Sequence, residues 1–138
     1  MSLGEKPTSG ICVSCACNGS VGNSEYRGID MSTGELIFSI KLPGHTANTS
    51  VYCGVAHAIK YSIMHNKGEV IYTDNQTVLS WLKGRPSIND KIKYTQRQYI
   101  DRAYQFSKDN INKVQVSQWN TKSWDRIPSA YERFHYVK

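Results

Sequence analysis

ICVSCACNGSVG, residues 11–22, is apolar or small at each of its first seven positions and then turns polar and glycine-rich. A short run with no polar face suits a central strand covered on both sides. Asn18, Gly19, Ser20, Val21, Gly22 and Asn23 then form a turn-rich break. Along a strand, neighbours alternate faces, so Cys15 and Cys17 share one face and Cys12 takes the other. Zinc requires close-spaced thiolates on a turn. These three cysteines, and Cys53 further on, are therefore read as small core fillers rather than metal ligands.

On the N-terminal side, MSLGEKPTSG (residues 1–10) is rich in Ser, Gly, Pro and charge and reads as a flexible leader. It lacks the apolar stretch of a signal peptide. On the C-terminal side, 25–31 and 35–42 read as two strands joined at Ser32, Thr33 and Gly34, completing an antiparallel meander. Pro43 and Gly44 end it, and Thr46 or Asn48 is a possible N-cap for a helix over 49–65. Val51, Val55, Ile59 and Ile63 recur every four residues along that helix and mark its buried stripe. A strand over 69–73 follows, then Asp74, a helix over 75–82 stopped by Gly84 and Pro86, and a helix over 95–109. The stretch 113–118 alternates as a last strand, 121–127 reads as irregular, and Pro128 opens a short terminal helix. The order βββ-α-β-α-α-β-α predicts an α/β domain over 11–138. Its mixed five-stranded sheet, three antiparallel strands and then parallel crossovers, is flanked by helices.

The chain has 138 residues, of which 39% are hydrophobic, enough for one core. No run reaches the roughly 18 apolar residues of a membrane span, so no membrane partner is expected and a cytoplasmic location is. The net charge of +6 is uneven: from Lys60 onward there are fourteen basic and seven acidic residues. A polyanion is the natural partner of such a surface, although a basic balance also serves plain solubility.

Four local patterns, in order, resemble the ribonuclease H family, specifically type 1 ribonuclease H of a bacterial subgroup. ICVSCACNGSVG is similar to its first strand and turn, with Cys17, Gly19 and Gly22 in register. Thr46-Ala47-Asn48 resembles the Thr-Asn-Asn before its first helix, and VIYTDNQTVLSWLK (70–83) its fourth strand, Asp and following helix. TKSWDRIPSAYER (121–133) resembles the subgroup's C-terminal segment.

The resemblance implies a site in which four carboxylates hold two divalent ions about 4 Å apart, one activating water and the other stabilising the leaving oxygen. Carried over, the four positions fall on Ser14, Val51, Asp74 and Ala130, and only Asp74 is still an acid. The pattern's first-turn Asn becomes Ser20 and the first Asn of Thr-Asn-Asn becomes Ala47, while Asn48 is kept. Glu25, Asp30, Asp125 and Glu132 are the carboxylates from which a relocated ligand set would have to come, and Asp74 has a second reading as a helix N-cap. Lys83, Arg85, Lys91, Lys93 and Arg97, with Trp81, Tyr94 and Tyr99 nearby, resemble the family's basic protrusion that grips the DNA strand of a hybrid. They also fit a solvated helical face. His57 among Ala56 and Ala58 reads as a packing or interfacial residue, and His45 as a solvated loop residue or one close to a phosphate. His65 and His135 share no metal-site spacing with them.

The reading is a ribonuclease H-like module that binds nucleic acid, an RNA/DNA hybrid or duplex, through Asn48 and the basic segment. It is catalytically inactive and needs no cofactor. The alternatives are an active enzyme cleaving RNA in hybrids with Mg2+ or Mn2+ on relocated ligands, and a protein-interaction scaffold. Monomer and homodimer are both open.

Overall fold

The computed structural model describes residues 4–66 and 68–132. Three strands open the fold: β1 (Ile11–Cys17), β2 (Gly22–Asp30) and β3 (Glu35–His45). Helix α1 (Ala47–Met64), strand β4 (Ile71–Thr73), and helices α2 (Gln76–Leu82) and α3 (Tyr94–Asn110) follow. A single 3-10 turn leads to β5 (Val116–Gln118) and the short helix α4 (Thr121–Trp124). The strands form one five-stranded sheet in the order β3-β2-β1-β4-β5. β1 pairs antiparallel with β2 and parallel with β4, and β4 pairs parallel with β5. The expected α/β architecture is therefore present, with the apolar run 11–17 at its centre.

The first helix begins where its chemistry allows. Thr46 is the N-cap: its hydroxyl accepts from the Thr49 amide at 3.0 Å, and Thr49 Oγ1 accepts from the Thr46 amide at 3.0 Å. Each side chain satisfies an amide that a helix start leaves open. Eleven of the helix's eighteen residues are buried, because it lies between the sheet and α3. Val51, Val55 and Ile59 form the predicted stripe, but Ile63 is 37% exposed because the helix runs past the edge of the core there. Close contact with β1 and β2 depends on Gly54, where a Cβ would come within 2.7 Å of Val13 and 3.0 Å of Tyr26.

The two sheet faces carry different cores. Ile11, Val13, Tyr26, Phe38 and Leu42 pack under α1. On the other face Cys12, Trp119 and Ile127 form a second cluster, with Trp124 and Ala130 against it. Full burial of an indole such as Trp119 contributes on the order of 3 kcal/mol, and its Nε1 also donates to the Asp125 carbonyl at 2.9 Å.

Three local expectations need correction. Thr121–Trp124, read as irregular, is a helical turn because Asn120 caps it: Asn120 Oδ1 accepts from the Ser123 amide at 3.1 Å. Pro128 opens no helix within the described residues; 128–129 form a turn and 130–132 have no regular structure, while the remainder of that segment lies outside the described residues. Asn75, not Asp74, caps α2, its Oδ1 accepting from the Val78 amide at 3.0 Å.

Candidate nucleic-acid interface and acidic site

At the middle of β1 and the C-terminal end of β4, three of the four positions carried over from the family pattern, Ser14, Asp74 and Ala130, come to one side of the sheet. β1 and β4 pair in the register Ile11↔Ile71 and Cys12↔Tyr72. Continued two residues, this parallel register sets Asp74 alongside Ser14. Ser14 is buried, and its Oγ lies 2.6 Å from Ser129 Oγ. Arg27, opposite Ser14 on β2, donates from Nε to the Ser129 carbonyl at 2.9 Å and from Nη2 to the Ala130 carbonyl at 2.8 Å. Its guanidinium also lies 4.3 Å from the Tyr131 ring centroid. The segment 129–131 is thus clasped to the sheet face that Ser14 occupies. Val51, the fourth position, is 4% exposed and faces the core from α1 itself.

Asp74 is exposed as a residue. Protein nonetheless displaces enough water from its carboxyl to push its pKa above the usual carboxylate value, with its own backbone amide opposing. The thiols of Cys12 and Cys15 are each pushed up to about 12, first by burial; the nearby Asp74 charge adds to both. Thiols so far from ionisation are poor nucleophiles at neutral pH. All four cysteines are free.

A two-metal centre needs several hard anionic oxygens to offset the repulsion between the ions. Here a hydroxyl engaged by Ser129, an aliphatic side chain in the core and a methyl group stand with one carboxylate, so the residues at the family positions do not fit such a centre. Glu25 is buried opposite Ala16, and Asp30 Oδ1 accepts from the amide and hydroxyl of Ser32. Asp125 has φ 65 at the end of α4. Among the described residues no group of three or more His, Cys, Asp and Glu side chains could hold a metal ion.

Asn48 sits in the first turn of α1, and its Oδ1 accepts from Asn75 Nδ2 at 2.8 Å, tying that turn to the residue after Asp74. On the other side of Asp74 lies an open cavity of about 430 Å³, lined by Gln76, Gln118, Asn120, Lys122 and Trp124. Lys122 lines the same cavity as Asp74 and is a cation that sequence reasoning passed over, because the stretch holding it was read as irregular.

The basic segment divides into two groups. Lys91 and Lys93 are exposed at the start of α3, next to Tyr94, which is 87% exposed. Lys83 and Arg85 lie beyond α2, Arg85 stacking 5.2 Å from the Tyr104 ring, with Lys108 at 5.9 Å from the same ring. Tyr104 is ten residues along α3 from Tyr94, about 15 Å at the helical rise. Arg97 belongs to the first group but braces the loop before α3: its Nε donates to the Ile92 carbonyl at 2.9 Å and its Nη2 to the Asp90 carbonyl at 3.1 Å. Lys108 was missed because it is remote in sequence and arrives through helix geometry.

His57 is a packing residue, stacked on Phe38 with centroids 4.0 Å apart and 3.0 Å from the Tyr26 hydroxyl through Nδ1. His45, read as a loop residue in solvent or near a phosphate, is instead fully buried, with Nδ1 3.2 Å from Thr49 Oγ1. β3 runs on through Pro43 and Gly44, positive-φ Gly44 included, and carries the ring inward. His135 lies outside the described residues.

No family model matches the sequence. The fold, however, is similar to solved structures of type 1 ribonucleases H. RNase H1 of the halophilic archaeon Halobacterium salinarum NRC-1 superposes with a TM-score of 0.59 at 13% identity, over 86% of this chain and 90% of that one. LC11-RNase H1, isolated from compost by a metagenomic approach, gives 0.56 at 10% identity over 83% and 85%. The same ribonuclease in complex with an RNA/DNA hybrid gives 0.53 at 10% identity over 87% and 94%. The chain has a ribonuclease H-like fold.

Proposed function

We propose that this chain is a ribonuclease H-like module that binds nucleic acid, an RNA/DNA hybrid or duplex, without hydrolysing it by two-metal chemistry. The observation that carries the reading is the 2.6 Å contact between Ser14 and Ser129 hydroxyls, where the family pattern has a carboxylate on the strand and one at the next residue, Ala130. Two neutral hydroxyls satisfied by each other leave Asp74 as the one family acid.

Binding is supported by three features. LC11-RNase H1, whose fold is similar, is known in complex with an RNA/DNA hybrid. Lys91 and Lys93 are exposed beside Tyr94, and Lys83, Arg85 and Lys108 make a second cationic group about 15 Å away, a spacing that spans several phosphates of a duplex. Contacts of this kind supply affinity and register and read no sequence.

The test is fluorescence anisotropy of a labelled RNA/DNA hybrid at low and high salt, run beside a cleavage assay with Mg2+ and with Mn2+. Binding that weakens steeply with salt, with no turnover, is expected. Salt-insensitive or absent binding overturns the first half of the reading. Metal-dependent multiple-turnover cleavage that Asp74→Asn abolishes overturns the second and restores the active-enzyme alternative.

A further inference from the structure

On the sheet face away from Ser14, edge strand β3, α1 and α3 enclose an open groove of about 640 Å³, within the roughly 300–1,000 Å³ typical of ligand sites. Its floor is α1, where the small side chains Cys53 and Ala56 leave the depression open. Ile40, Leu42 and Pro43 make one wall, and Tyr99, Ala103 and Phe106, on one face of α3, make the other. Ile40 is 39% exposed and Tyr99 41%, so apolar and aromatic surface faces solvent on both walls.

The charges around it have one sign. Lys60 on α1 and Arg102 on α3 line the groove and are exposed. None of the described residues lining it carries a carboxylate. Lys41 contributes through its backbone, since it stands opposite Glu25 across the ladder and its side chain takes the other sheet face from Ile40 and Leu42. β3 ends the sheet, so one side of its backbone lies open to an added strand.

We propose that this groove docks a short acidic and apolar peptide segment of a partner protein, laid along the β3 edge. Alternate side chains of such a strand enter between Ile40 and Phe106, as in recognition by strand addition. Its carboxylates meet Lys60 and Arg102. A nucleic-acid backbone matches the two cations but not the apolar walls, which would stay wet beneath it. The site is separate from the basic residues assigned to nucleic acid.

A display library of random peptides, panned against the full chain, tests this. The expected consensus pairs an aromatic or large aliphatic residue with at least two acids. A fluorescein-labelled copy of the best peptide should lose about tenfold in affinity with Lys60→Glu, and again with Arg102→Glu. Both residues are exposed, so the variants should keep the wild-type circular dichroism. Lys91→Ala should leave peptide affinity unchanged. No enrichment, a basic consensus, or affinity indifferent to both charge reversals overturns the proposal. So does a loss of hybrid binding in Lys60→Glu and Arg102→Glu with peptide binding intact, which would assign the two cations to nucleic acid.

Discussion

Ser14 Oγ and Ser129 Oγ sit 2.6 Å apart although 115 residues separate them in the chain, and both are buried. Each hydroxyl is the other's partner, so removing one leaves a buried polar group unsatisfied. Ser14→Ala and Ser129→Ala should each cost about 1–2 kcal/mol. The double variant should cost clearly less than their sum, because neither orphan remains. Urea titration of the four proteins measures the coupling, and strict additivity would show that the hydroxyls do not depend on each other.

Helix α1 lies so close to β1 that Gly54 has no room for a methyl. An added Cβ would approach Val13 Cγ1 to 2.7 Å and Tyr26 Cδ1 to 3.0 Å. Both neighbours are in the core under α1, so neither can swing into solvent. Gly54→Ala should therefore destabilise by about 1–3 kcal/mol, against the gain of up to about 1 kcal/mol that alanine normally brings in mid-helix. A midpoint equal to or above wild type in urea would mean that the helix can lift without loss.

Much of this was legible in the sequence. The apolar run 11–17, the four-residue spacing of Val51, Val55 and Ile59 and the strand-helix alternation after Pro43 report burial directly, and burial is what hydrophobic pattern encodes. That Ser14, Val51 and Ala130 stand where the resembling family pattern has acids was equally visible. Other features depend on groups that meet only in three dimensions. The Ser14–Ser129 pair and the Arg27 clasp join residues over a hundred positions apart. The turn at Thr121 rests on one Asn120 cap. His45 sits inside because β3 continues past Pro43, a residue that usually ends a strand but is tolerated on an edge.

His45 and His57 make stability depend on pH. Burial lowers the pKa of both; the Gln96 contacts oppose this at His45, and the Lys60 charge adds to it at His57. The unfolded chain, with histidines near pKa 6.5, takes up protons before the folded one does. Their contribution is thus intact above about pH 6.5 and is lost as pH falls toward the lowered folded values. Tm should fall between about pH 8 and about pH 5.5, and His57→Gln should flatten that slope even though it also loses the stack on Phe38. Asp74, whose pKa burial raises, acts with the opposite sign. An unchanged slope in His57→Gln would remove that residue from the account.

The cations near the start of α3 separate into those free to meet a phosphate and one that holds the loop. Lys91 and Lys93 are exposed, so Lys91→Ala and Lys93→Ala should each lower the salt slope of hybrid binding by about one and leave Tm unchanged. Arg97 bridges the Ile92 and Asp90 carbonyls with two nitrogens of one planar group, a geometry that lysine's single ammonium cannot copy. Arg97→Ala should cost about 1–3 kcal/mol of stability as well as affinity, and Arg97→Lys should keep the charge yet recover little of the stability. Thermal melts beside anisotropy titrations at several salt concentrations resolve the two effects. If Arg97→Ala melted like wild type while Lys91→Ala did not, the roles assigned to these residues would have to be exchanged.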